Sequence, residues 1–149
     1  MLNFLNRNAG AVQALAGILT VLLAAGALLG VKLQIDAAEK TQREQSARDI
    51  YREFLNLSIS KPEFAQPDFC ALHGTPQEPA YENYVEYLLY TAEQTISVDA
   101  SWVNTFTSTL KPHAGYLCSL KDMTDYSDNV QSLIADFAKK NCATTKTCG

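Results

Sequence analysis

The sequence predicts an all-α protein in which an N-terminal transmembrane helix continues into a stalk and then into a small helical bundle of three or four short helices. Three observations carry this expectation. Residues 8–31 contain no charged side chain. From Val31 to Ser60 there is neither glycine nor proline. Beyond that point apolar residues recur at three- and four-residue intervals, as on a helix with one buried face, and no segment alternates like a strand.

Residues 1–9 form a short N-terminal tail. The run from Gly10 to Val31, GAVQALAGILTVLLAAGALLGV, has only Gln13 and Thr20 as polar members. Its length of roughly 33 Å, at about 1.5 Å per residue, suffices for a hydrocarbon core of about 30 Å. A soluble helix rarely needs every face apolar over such a length. A cleaved signal peptide is the rival reading, because Ala25-Gly26-Ala27 offers small residues at a suitable spacing. The lone Arg7 upstream and the long apolar run favour retention. Gly26 and Gly30 form a G-x-x-x-G that would let a second helix approach closely, although small residues are common in membrane helices generally.

Residues 32–48 are rich in helix formers and polar nearly all round, which suits a solvated stalk supported by mixed charges. From residue 49 the character changes. Ile50, Tyr51, Phe54, Leu55 and Leu57 provide a face able to enter a core, so the helical domain is assigned to residues 49–140. The first helix should stop before Lys61-Pro62, because proline disfavours the α conformation in its predecessor. Residues 60–80 hold four of the five prolines and read as a loop with one short turn. Tyr81, Val85, Leu88, Ala92 and Ile96 then mark a helix. Asp99 or Ser101 should cap the next one, which carries Trp102, Phe106 and Leu110. Pro112 should end or kink it. A short continuation, HAGYLCSL, leads to a last helix near residues 126–140, with Asp128 at its start and Lys139 and Lys140 at its end, as the helix dipole favours.

After the apolar run, from Lys32 onward, the chain carries eleven basic and sixteen acidic residues, a formal charge of 11 − 16 = −5. That balance argues against a nucleic-acid partner. The four cysteines are even in number, and Cys142 and Cys148 share a polar tail, residues 141–149. Their spacing reads as a disulfide-closed loop, leaving Cys70 and Cys118 for a second bridge. Such bridges favour an extracytoplasmic, periplasmic domain. The count of Lys and Arg flanking the apolar run favours the cytoplasm: Arg7 stands before it, and Lys32, Lys40, Arg43, Arg48 and Arg52 stand after it. The two arguments disagree and the side stays open, with the cysteines given the greater weight.

Cys70, His73, His113 and Cys118 supply two thiols and two imidazoles, a conceivable metal set. Their spacing matches no recognised finger or ribbon, and disulfides use the thiols with fewer assumptions. Tyr81, Tyr84, Tyr87 and Tyr90 repeat every three residues. Tyr84, Tyr87 and Tyr90 are the candidates for an outward aromatic face that would meet a protein partner. No nucleophile–base pair with an orienting third group is found, so no enzyme activity and no cofactor are expected.

The run QIDAAEKTQREQSARDIYREFLNLSISKPEF, then YVEYLLYTAEQTI, then Trp102 followed by LKPHAGYLC, resembles a loose group of uncharacterised bacterial proteins. In these, one N-terminal membrane helix precedes a small α-helical domain. The resemblance covers residues 10–137 and implies architecture and bacterial origin, but no activity; the expected location is the bacterial inner membrane. The expected function is that of a single-pass membrane-anchored interaction or accessory protein. Its partners would be the lipid membrane and either a second copy or another membrane protein. The alternative is a membrane-tethered sensor of a small ligand or metal.

Overall fold

A run of uncharged residues followed by a run without helix breakers gives a single long helix, and the computed structural model shows one. It describes residues 9–145 and Cys148; the expected N-terminal tail lies almost wholly outside the described residues. Helix α1 spans Ala9–Ser60. It is followed by α2 (Pro62–Ala65), α3 (Phe69–Leu72), α4 (Glu78–Ile96), α5 (Trp102–Thr109), a 3-10 turn (Lys111–His113), α6 (Ala114–Leu117) and α7 (Asp128–Asn141). No strand occurs among the described residues. Contacts divide the chain into two compact units between Gln42 and Arg43.

In the first unit, α1 exposes its large apolar side chains: Leu15, Leu22, Leu28 and Leu33 are all more than 60% accessible. Among the described residues, α1 is the one helix long and apolar enough to cross a membrane. The hydroxyl of Thr20 donates to the carbonyl of Ala16 at 2.8 Å, so this polar group is satisfied within the helix. A methyl group built on Gly26 or Gly30 would meet nothing within 4 Å, which leaves that face open.

The second unit is organised around α4. Successive turns of this helix bury Tyr81, Val85, Leu88, Ala92 and Ile96, the residues its apolar spacing selects. Phe54 from α1, Phe106 and Leu110 from α5, Leu117 from α6 and Val130, Leu133, Ile134 and Phe137 from α7 complete the core. Ala47 is already buried, at 2% exposed, so packing begins within the expected stalk (32–48). The smallest side chain available lets the helix be covered there, beside Trp102.

Local chemistry sets the helix ends. Gly74, at φ 76°, occupies the left-handed region that favours glycine. This turn brings its N–H to the Glu78 carboxylate at 2.7 Å. The same carboxylate meets His73 Nδ1 at 2.5 Å, fixing the start of α4. The Asp99 carboxylate accepts the Ser101 N–H at 2.8 Å ahead of α5. Pro112 lies in the 3-10 turn that ends α5. Asp128 opens α7, and Lys139 and Lys140 sit in its last turn. Two single-turn helices, α2 and α3, replace the one turn expected in residues 60–80.

The cysteines pair differently from expectation. Cys70 joins Cys148, and Cys118 joins Cys142, with Cα separations of 5.2 and 5.5 Å. Nearness in sequence favours a Cys142–Cys148 loop, but packing decides otherwise. Cys142 is the C-cap of α7 and still helical, and α7 packs on α6, which ends at Cys118. On the other side, α3 seats Phe69 against Gly115, where a methyl group would stand 3.1 Å from the Phe69 ring. That close approach is why Gly115 interrupts a helical stretch. Cys70, exposed beside Phe69, is left to reach the C-terminal segment.

Candidate interaction groove

The four tyrosines of α4 step by three residues along a helix of 3.6 residues per turn, so each lies about 60° round from the one before. Burial follows that walk. Tyr81 is 0% exposed, Tyr84 3% and Tyr90 48%, with Tyr87 intermediate. The expected outward row of Tyr84, Tyr87 and Tyr90 is therefore corrected: Tyr84 belongs to the core, and Tyr87 and Tyr90 face outward. The rings of the latter two stand 6.4 Å apart.

Tyr84 and Tyr87 form a seam with α1. The Tyr84 hydroxyl lies 2.6 Å from Ser58 Oγ, and the Tyr87 hydroxyl donates to the Glu53 carboxylate at 3.3 Å. Burial raises the pKa of both phenols, so both remain protonated donors at neutral pH. Beside the seam a groove of about 580 Å³ opens between α1, α2 and α4. Leu57, Phe64, Ala80, Tyr84 and Tyr87 supply its apolar surface, while Lys61, Glu63 and Asn83 supply polar groups. Lys61 and Glu63 stand 3.9 Å apart, both largely exposed. Such an apolar groove edged by charges and amides resembles the core-and-rim pattern of protein interfaces.

The proposed metal set does not assemble. Cys70 and Cys118 are each committed to a different disulfide. His73 is exposed and bonded to Glu78. His113 is 1% exposed and hydrogen-bonded through Nδ1 to the Tyr81 hydroxyl at 3.0 Å. No group of three or more metal-ligating side chains comes together among the described residues. Folding separates residues whose local spacing alone suggested ligands.

Sequence reasoning missed the Tyr81–His113 pair, which joins α4 to the turn after α5. A histidine next to Pro112 in an aromatic-rich stretch was its only sequence signal. A second long-range pair joins α4 to the residues ahead of α7: the Tyr126 hydroxyl donates to the Glu86 carboxylate at 2.7 Å. Comparison with family models, with curated proteins and with solved structures finds no match.

Proposed function

We propose that this is a single-pass interaction protein of the bacterial inner membrane. Its helical domain stands on the oxidising, periplasmic side and engages a partner protein through the groove between α1, α2 and α4. One observation carries the placement: all four cysteines are joined in two disulfides, a state that persists in oxidising compartments and is rare in the cytosol. Uncharged, exposed apolar length in α1 supports the anchor, and the resemblance of the sequence to bacterial membrane-anchored domains supports the membrane type.

The interaction reading rests on the groove's composition. An apolar side chain of a partner would enter against Leu57, Phe64 and Tyr87, and the exposed ring of Tyr90, 6.4 Å from that of Tyr87, would add contact, since tyrosine offers a large rigid face with a polar tip. A tether restricts partners to those reachable from the membrane, which raises effective concentration and lets a modest groove suffice. The partner is another membrane protein or a second copy of this chain, the latter also served by Gly26 and Gly30.

Two measurements test this. In intact cells a membrane-impermeant thiol reagent should label the protein only after reduction. Labelling confined to lysed cells, without reduction, would defeat the placement. Photo-crosslinkers at Asn83 and Tyr90, both exposed, should give adducts in native membranes that are absent with the crosslinker at Lys121, which is exposed in the segment between α6 and α7. Recovery of uncrosslinked chain alone would defeat the interaction.

A further inference from the structure

A second cleft, of about 350 Å³, lies between α1, the residues after α2, and the end of α5. Tyr51, Phe54, Leu55 and Pro112 line it with apolar surface, and Ser58, Gln66, Ser108 and Thr109 bring polar groups. None of its lining side chains carries a formal charge at neutral pH. His113 forms part of its wall and is 1% exposed.

The proton on this imidazole can be placed. Tyr81 is fully buried, and His113 is its one hydrogen-bond partner among the described residues. Were Nδ1–H the donor, the buried phenol proton would have no acceptor, which native structures avoid. The phenol therefore donates to Nδ1, and the neutral ring carries its own proton on Nε2. Burial lowers the imidazole pKa from 6.5 to about 4, which keeps the ring neutral at pH 7. The Nε2–H has no protein partner among the described residues. Nε2 is the ring nitrogen that Tyr81 does not use, on a ring that forms part of the cleft's wall.

We infer that this cleft binds a small uncharged molecule through a carbonyl oxygen, with the Nε2–H of His113 as the donor and Tyr51 and Phe54 against the apolar part. A buried donor beside an uncharged, largely apolar wall selects an acceptor that brings no charge, because an ion would lose hydration without gaining a counter-charge. Pockets of this kind combine mostly apolar walls with a few placed polar groups.

The test uses the full chain in detergent micelles, labelled with ¹⁵N-histidine and backbone ¹⁵N, and benzamide as the probe. At pH 7 the His113 ring should show protonated Nε2 and bare Nδ1. Benzamide should shift the His113 ring and the Ser58 and Thr109 amides saturably. Ethylbenzene, which lacks the carbonyl, and benzylamine, which carries a charge, should bind at least about tenfold more weakly, the discrimination one hydrogen bond provides. Ser108→Trp, at an exposed lining position, should abolish the shifts while leaving the core spectrum intact. Four results would overturn the inference: a proton on Nδ1, no saturable shift, ethylbenzene binding as well as benzamide, or undiminished binding in the Ser108→Trp protein.

Discussion

Acidification should destabilise the helical domain through His113, and the size of the effect follows from its burial. In the unfolded chain the imidazole takes up a proton near its ordinary pKa of 6.5, whereas in the folded domain desolvation holds it at about 4. Between these values the unfolded state binds more protons, so stability falls as pH falls. Above 6.5 both states are neutral and this contribution is fully present. Below about 4 both are protonated and no further loss comes from this group. Spanning 6.5 to about 4 at about 1.4 kcal/mol per pH unit gives a loss of ~3 kcal/mol, a large fraction of a small domain's stability. Glu78 and Asp122, whose pKa values are lowered by hydrogen bonds from Gly74 and Thr124, lose their share only further down, as pH falls through their folded values. The upper part of the window therefore belongs to His113. Denaturant titrations of the full chain in micelles, bridges intact, would follow Trp102, the single tryptophan, whose ring lies 4.9 Å from Tyr51. Stability should decline from pH 6.5 to 4.5 in the wild type and stay level over that interval in His113→Phe. A flat wild-type profile, or an equal slope in the variant, would refute the reasoning.

The disulfides should differ in worth. Cys118–Cys142 closes a sequence separation of 24 residues and Cys70–Cys148 one of 78. Chain entropy then assigns ~3.5 and ~4.5 kcal/mol to them; denaturant midpoints of paired Cys→Ser variants should fall more for the outer bridge, and the reverse order would count against the entropic account. Phe106→Ala should cost about 3–5 kcal/mol, because this ring is fully buried against Tyr51 and Trp102; a loss below about 1 kcal/mol would mean the core is not packed as described. Tyr90→Ala, at a half-exposed position, should change stability by no more than about 0.5 kcal/mol while removing the adduct formed from a crosslinker at Asn83. A matching loss of stability would make Tyr90 a packing residue.

The long helix and the bundle after it were legible because each has a strong local cause. Uncharged length marks the first part of α1, the absence of breakers carries it to Ser60, and period-3.6 apolar residues mark α4, α5 and α7. What the sequence hid depends on distance in the chain. The bridge partners follow from α6 packing on α7 and from Phe69 seated on Gly115, neither of which has a local signature. The tyrosine repeat rotates about 60° per step from the core at Tyr81 to solvent at Tyr90, and spacing alone does not say that the change falls after Tyr84. The Tyr81–His113 pair, 32 residues apart, is invisible to any spacing rule.

Sidedness is where the two kinds of argument meet. Five basic residues after the apolar run against one before it would ordinarily hold that flank in the cytoplasm. The folded unit, however, begins at Arg43, so Arg43, Arg48 and Arg52 belong to a domain, not to a free flank. Domains translocate largely regardless of their charge. What remains is Lys32 and Lys40 against Arg7, a difference of one residue. Against that small bias stand two bridges that together tie α3 to the C-terminal segment and α6 to α7. A reducing compartment would open both and remove several kcal/mol from a domain of this size. The proposed orientation is the one that keeps the bridges closed, and adding lysines between Val31 and Gln42 gives it a sharp test. If the balance is as close as this, two or three added lysines should drive part of the population to the opposite orientation, and that fraction should lose its bridges and unfold at lower denaturant. An inserted cluster that leaves thiol labelling unchanged would show that the charge count was never near balance.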